Sequence, residues 1–489
     1  MEIKKMILEV KMNIRQLNKD FSINAYWTVD GIDYEFGILK YTQDRIIVEL
    51  PDSKIEFDSD YPKITGYNNR NQFSLFNIIV KKSANKELSM VQLQAEYMFI
   101  DKKYIPDMYD FKINSITWTT DRLPLLLSDT PWESLEDERG IKYREVPVEE
   151  YNIESLKASI IIRYSHSSNS NITPEEGLTD TFKSRPYLTL RYEEKKSILD
   201  IRKDVQKITN LITVITGSPQ TIQAFNYPST TKDLVGNELP QNGEFYFIQS
   251  IPSRKNLQNN SAYDFEKLSG HFGTILSVYF EKFENIANIS IHILLMTSAK
   301  NMLEASYIDV VTSLEAYHRD FYNYEITYSV ATENMIMQID NLIKESSESK
   351  NRKQRDEYYK IFYNIMTMRN PILQERIADL LKKLPDPLKN IILFSGVDFT
   401  NEKDTNRFSE RIAVSRNYLA HGNRTESIKK LTSSEMINAT YILTIISEYF
   451  LMSRLGLQDE IIVEGIRHKK IYQRFLTNLY DFEQPFINE

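Results

Sequence analysis

RFSERIAVSRNYLAHGN, residues Arg407–Asn423, reads as a helix that carries its own stop signal. Phe408, Ile412, Ser415 and Leu419 recur at three- and four-residue steps and form one stripe. Gly422 stands where a helix ends in the left-handed conformation. Asn417 and His421 lie four residues apart, so they stack on one face of the last two turns. Arg416 sits about 100° around the axis from Asn417, yet its long side chain can swing to the same pocket. The helix end therefore offers an imidazole, an amide and a guanidinium. That set suits metal-free cleavage of RNA. A 2′-hydroxyl must lose a proton to attack the adjacent phosphorus and the leaving 5′-oxygen must gain one, and histidine exchanges protons near neutral pH. A fixed guanidinium stabilises the charge that grows on the phosphorane, while Asn417 can orient the imidazole or the phosphate. The products expected are a 2′,3′-cyclic phosphate and a 5′-hydroxyl. On spacing alone a second reading stays open: His421 bonded to a helix-end carbonyl, with Arg416 in a surface ion pair.

Working outward, the flanking segments are helical too. Phe265–Asn288, Leu303–Tyr322, Thr332–Glu345, Gln354–Met368, Ile372–Leu384, Ser433–Leu455 and Ile466–Asp481 show 3.6-type spacing, punctuated by Pro371, Pro385 and Pro387. Thr432-x-x-Glu435 has the form of a capping box. The most apolar stretch, Met436–Met452, is interrupted by Asn438, Ser447 and Glu448, and reads as a buried helix rather than a membrane span. Residues 262–489 are thus expected to form an all-α bundle.

The first half has a different period. Ile32–Lys40, Arg45–Leu50, Phe73–Val80, Leu88–Tyr97, Phe111–Thr119, Leu156–Tyr164 and Tyr187–Tyr192 are short runs rich in Ile, Val, Tyr and Phe. Several alternate apolar with polar residues, and Ile160-Ile161-Ile162 suits a strand buried on both faces. Asp30-Gly31 and Asp52-Ser53 suit turns. One helix is expected over Glu193–Val214, with Ile198, Ile201, Val205, Ile208 and Ile212 as its stripe, followed by strands at Thr221–Phe225 and Glu244–Ile251. Strands without alternating helices predict an antiparallel sandwich or barrel-like domain over 1–255. The polar run Arg254–Ser261 marks the boundary. The fold class expected is α+β: an antiparallel β-rich N-terminal domain followed by a helical bundle.

Composition excludes several functions. The 489 residues contain no cysteine, which removes disulfide scaffolds, thiolate metal sites and Cys nucleophiles. The N-terminus lacks the apolar core of a signal peptide, so a reducing cytoplasm is expected. Phosphate-loop, dinucleotide-binding, H-E-x-x-H and G-x-S-x-G motifs are absent. The six histidines (His166, His271, His292, His318, His421 and His468) include no pair at metal-ligand spacing. No cofactor is expected. The acidic run Glu133–Glu138 has no apolar flanks and reads as a solvated loop. A net charge of −8 argues against a general nucleic-acid coat. Yet Lys350–Asn390 holds ten Lys or Arg against five Asp or Glu, and Asn401–Lys430 holds seven against four. Either solvated helix faces or a local RNA cleft fits these segments.

RNYLAHGN resembles the R-x(4–6)-H motif of HEPN ribonucleases, with Asn417 in the polar slot that often follows the Arg. Tyr307–Tyr317 resembles the helix that bears the superfamily's acidic residue, which would be Glu315. Glu315 falls on the Ile308–Val311 stripe, an unusual place for a carboxylate without a partner; a local Glu315–His318 pair is the alternative. Ala25–Asp52 resembles the opening of the ApeA-type N-terminal domain, and Trp27 and Gly37 are the positions carried over, with ordinary core and turn duty as their alternative. The resemblance implies an endoribonuclease of abortive anti-phage defence. Its substrate would be RNA, with tRNA expected, and it would stay quiet until a phage-derived trigger acts. It further implies a homodimer in which Arg416, Asn417 and His421 from two chains form one composite site, no membrane, and a sensor role for the first domain. A non-catalytic nucleotide-, RNA- or protein-binding module, or a carbohydrate- or protein-binding β domain on an oligomerising bundle, remain the competing expectations.

Overall fold

The computed structural model describes residue 17 and residues 19–29, 31–51, 60–82, 90–129, 132–134, 141–143, 146–173, 177–232, 235–249, 260–298, 302–322, 329–348, 357, 360, 371–422 and 430–476. By contacts the chain divides into two units, Met1–Glu281 and Lys282–Glu489.

In the first unit, strands β1 (Phe21–Val29), β2 (Ile32–Thr42), β3 (Arg45–Pro51), β4 (Asp60–Tyr67), β5 (Gln72–Lys82) and β6 (Met90–Asp101) run in the order β3-β2-β1-β4-β5-β6. β6 pairs with both β5 and β3, so the six antiparallel strands close into a barrel. Closure removes the free edges that an open sheet would leave. Alternation fills the interior: Ala25, Trp27 and Val29 on β1, Leu39 and Tyr41 on β2, and Ile46, Val48 and Leu50 on β3 are buried. Trp27 determines two of its neighbours. A Cβ on Gly37 would lie 2.5 Å from its Cδ1, and a Cβ on Gly66 would lie 2.5 Å from its Cε3. Trp27 and Gly37 therefore serve packing here, and Gly37 lies inside a strand opposite Ala25 rather than in a turn.

The remaining strands extend from the barrel. The first is β7 (Lys112–Thr120), followed by the short helix α1 (Leu123–Leu126); β8 (Trp132–Ser134) and β9 (Ile141–Tyr143) form, among the described residues, a separate two-stranded sheet. β10 (Glu149–Ile153), β11 (Ala158–Thr173), β12 (Gly177–Ser197), β13 (Ile222–Lys232) and β14 (Glu238–Phe247) complete the order β10-β11-β12-β7-β13-β14-β6. Asp101, at the end of β6, joins the two parts. It is buried and accepts hydrogen bonds from Tyr227 Oη (2.9 Å), Ser229 Oγ (2.8 Å) and Gln241 Nε2 (2.8 Å). Ile160, Ile161 and Ile162 are all buried, as a strand covered on both faces requires.

Helix α2 (Ile198–Thr216) buries the whole expected stripe from Ile198 to Ile212. It starts later than the periodicity predicts. Glu193–Lys196 continue β12, and Ser197 caps the helix by accepting from Asp200 N. The span expected to be one helix from Phe265 to Asn288 is three: α3 (Phe265–Ser269), α4 (Phe272–Glu281) and α5 (Phe283–Ser298). No proline marks these breaks, and each piece keeps an apolar face, so the periodicity runs on across them. α3 and α4 belong to the first unit.

The second unit continues with α6 (Leu303–Tyr322), α7 (Val330–Glu348), α8 (Leu373–Lys382), α9 (Asp386–Lys389), α10 (Glu402–His421), α11 (Ser433–Arg454) and α12 (Asp459–His468). Among the described residues no helix is long and apolar enough to cross a membrane. Instead α11 is the buried centre of the bundle, with Ala439, Ile442, Leu443, Ile446 and Leu451 almost fully covered. The helix expected over Ile466–Asp481 does not run on through its described part: α12 ends at His468, and Lys469 turns extended (ψ 113°) to reach inward, while residues 477–481 lie outside the described residues. Most of the expected helix Gln354–Met368, the Asp52-Ser53 turn, Asp30 and residues 135–138 of the acidic run lie outside the described residues; Glu133 and Ser134 belong to β8.

Candidate active site

α10 positions the Arg416–His421 segment. Asn401 caps its start by accepting from Lys403 N and Asp404 N, and Gly422 ends it at φ 67° with its N–H on Tyr418 O. Thr405, Phe408, Ser409, Ile412 and Ser415 are buried, while Leu419 is only half-buried. Two hydrogen bonds anchor the helix. Tyr307 on α6 donates to Ile412 O (2.8 Å), and Ser415 Oγ accepts from Leu431 N (2.7 Å). Burial pushes the Tyr307 phenol well above its ordinary range, so it remains a donor.

Asn417 and His421 are both exposed, as residues four apart on the solvent face. Arg416 is less exposed. Its side chain is 23% exposed and turns toward α6, with Nη2 3.6 Å from Glu315 Oε2. Nη1 donates to Asn417 Oδ1 at 3.2 Å, and Nε is buried with no hydrogen-bond partner among the described residues. At 3.6 Å the contact with Glu315 is an ion pair without a hydrogen bond. Glu315 is 22% exposed and also accepts from Arg319 Nη2 through Oε1, at 3.4 Å. Glu315, Arg416 and Asn417 are thus brought together. His421 makes no hydrogen bond or ion pair with another described residue.

The alternative partner of Glu315 does not hold. His318 is buried and faces α8, with Nε2 3.0 Å from Asp379 Oδ2 and Nδ1 3.1 Å from Arg376 Nη1. Because the guanidinium can only donate, Nδ1 accepts and Nε2 carries the proton to Asp379. Burial lowers the His318 pKa, with Asp379 opposing. The local sequence distance from Glu315 to His318 had no bearing on this. Arg319, by contrast, was missed; its i+4 spacing from Glu315 was the available signal. Lys430, counted in the basic segment Asn401–Lys430, places its Nζ 4.2 Å from the Tyr418 ring centroid.

The helix after the site is fixed by the capping box at Thr432 and Glu435. Glu435 also accepts from Arg411 Nη2 of α10 at 2.8 Å. The Arg411 hydrogen bond, helped by the Thr432 N–H and hydroxyl against partial burial, holds the Glu435 pKa at about 2. A carboxyl depressed in the folded state contributes stability above its ordinary pKa of 4.5 and loses it as pH falls through the folded value. Glu435→Gln is expected to lower unfolding stability at pH 7 by about 1 kcal/mol. The gap to wild type should close between pH 4.5 and about 2 in urea titrations; a gap independent of pH contradicts this assignment.

A helical bundle with an Arg-Asn-x-x-x-His helix end beside an acidic helix, in a chain whose other unit is a β barrel with an extended sheet, defines a HEPN-class protein. Family comparison agrees: Apea-like HEPN matches residues 308–461, and ApeA N-terminal domain 1 matches residues 22–278. The chain belongs to the ApeA family of HEPN proteins. Glu315, Arg416, Asn417 and His421 all lie within the first match, and Trp27 and Gly37 within the second. No curated protein and no solved structure matches the chain.

Proposed function

We propose that the protein is a metal-independent endoribonuclease of anti-phage defence that cleaves RNA, with tRNA the expected substrate. An ApeA-type HEPN chain fits a defence nuclease, and HEPN domains typically bind RNA and dimerise. The observation that carries the reading is an Arg416 guanidinium paired with Glu315 beside an exposed His421. The guanidinium is drawn to Glu315 while the imidazole leaves the solvent face unpartnered among the described residues. One chain thereby offers half of a site, and a second copy across a two-fold axis would complete it. In this reading His421 moves the proton of the 2′-hydroxyl or of the leaving oxygen, Arg416 stabilises the phosphorane and Asn417 holds the phosphate or the guanidinium. Glu315 is a positioning residue. The β-rich domain, 1–255, senses the trigger and the helical domain, 262–489, cuts.

The test is incubation of the full chain with total tRNA in EDTA. Fragments with 5′-hydroxyl and 2′,3′-cyclic phosphate ends are expected; intact tRNA, or 5′-phosphate ends, contradicts the proposal. The competing reading, a module that binds RNA without cutting it, predicts retention of intact tRNA.

A further inference from the structure

Arg319 is a charged group of the site that the proposed chemistry leaves without a task. It lies on α6 four residues after Glu315, about 6 Å further along the axis. Its side chain is 58% exposed. The Glu315 carboxylate is divided between two guanidiniums, Oε1 to Arg319 at 3.4 Å and Oε2 to Arg416 at 3.6 Å. Three charged groups therefore leave one net positive charge at this point. An exposed i,i+4 pair adds little stability, so stability alone gives weak reason for the arrangement. What the shared carboxylate does provide is proximity: it brings two guanidiniums to its two oxygens, and guanidiniums suit phosphate oxygens.

We propose that Arg319 is a second phosphate-binding residue, which contacts the RNA backbone one phosphate away from the group held by Arg416. This rests on the nuclease reading above. Glu315 keeps both guanidiniums close in the free protein, and the incoming strand replaces the weak ion pairs with charge-assisted hydrogen bonds. Neighbouring positions on α6 leave room for a strand: Thr312 is exposed and Ile308 half-buried on the same stripe as Glu315. Arg319 thus acts in binding, and its removal raises KM more than it lowers kcat.

The experiment compares full-length wild type, Arg319→Ala and Arg319→Lys with total tRNA in EDTA across a salt series. Arg319→Ala should raise KM about fivefold at 0.1 M salt and reduce the slope of log K against log salt by about 0.7, the value for one phosphate on a single strand. Arg319→Lys, which keeps the charge, should restore most of the slope but less of the KM. Thermal unfolding of the alanine variant should match wild type within a degree or two. If wild type cuts tRNA and Arg319→Ala shows the same KM and slope, the pair is a surface contact only and the inference falls. If wild type neither binds nor cuts tRNA, the nuclease reading falls first.

Discussion

His421→Ala is expected to lower tRNA cleavage by about 10²–10⁴-fold, the contribution of a positioned general acid or base. The fold should survive the change, because the imidazole is exposed and bonded to no described residue; stability should stay within about 0.5 kcal/mol of wild type. Arg416→Ala should cost about 10²–10³-fold by removing charge stabilisation from the transition state. Arg416→Lys should recover little of it, since an ammonium cannot present the planar fork that spans Glu315 and Asn417. Single-turnover rates with saturating tRNA separate these effects from binding. Equal rates for wild type and His421→Ala would remove the histidine from the mechanism.

The second large effect lies away from the site. Glu448 on α11 and Lys469 after α12 are both 0% exposed, with Nζ 2.6 Å from Oε2, and Tyr472 Oη donates to the same oxygen at 2.8 Å. Burial pushes the Lys469 ammonium below the ordinary lysine range, and Glu448 pulls the other way. Lys469→Met should destabilise the helical unit by about 3–5 kcal/mol, because it leaves a carboxylate buried without its counter-charge. Adding Glu448→Gln should recover much of the loss, since the amide oxygen still accepts from Tyr472 and no lone charge remains. Urea unfolding measures both. A loss under about 1 kcal/mol for Lys469→Met would mean that the pair does little to hold the chain after α12 against the bundle.

Much of the fold was legible because local signals agreed with tertiary need. α10 announces its end with Gly422, and α2 presents one unbroken isoleucine and valine stripe; the Asn401 cap, which starts α10 ahead of its apolar stripe, was not read from the sequence. Barrel closure was not legible: no residue of β5 or β6 signals that Phe73 pairs with Ile100. Nor was the Asp101 junction, whose partners lie 126–140 residues away in sequence. The early end of the last helix follows from the buried pair, since sending Lys469 inward to Glu448 outweighs continuing a helix whose apolar spacing looked adequate. At the site, spacing identified the helix face shared by Asn417 and His421. It could not show that Arg416 pairs with Glu315, because that depends on where α6 packs.

The central claim is that one chain holds only half of a working site. Co-expressing Arg416→Ala and His421→Ala chains with different tags, and isolating the mixed dimer, tests it directly. In the mixed dimer one chain keeps its arginine and the other its histidine. The account predicts tRNA cleavage in EDTA well above that of either variant alone. A mixed dimer as inactive as its parents would contradict it.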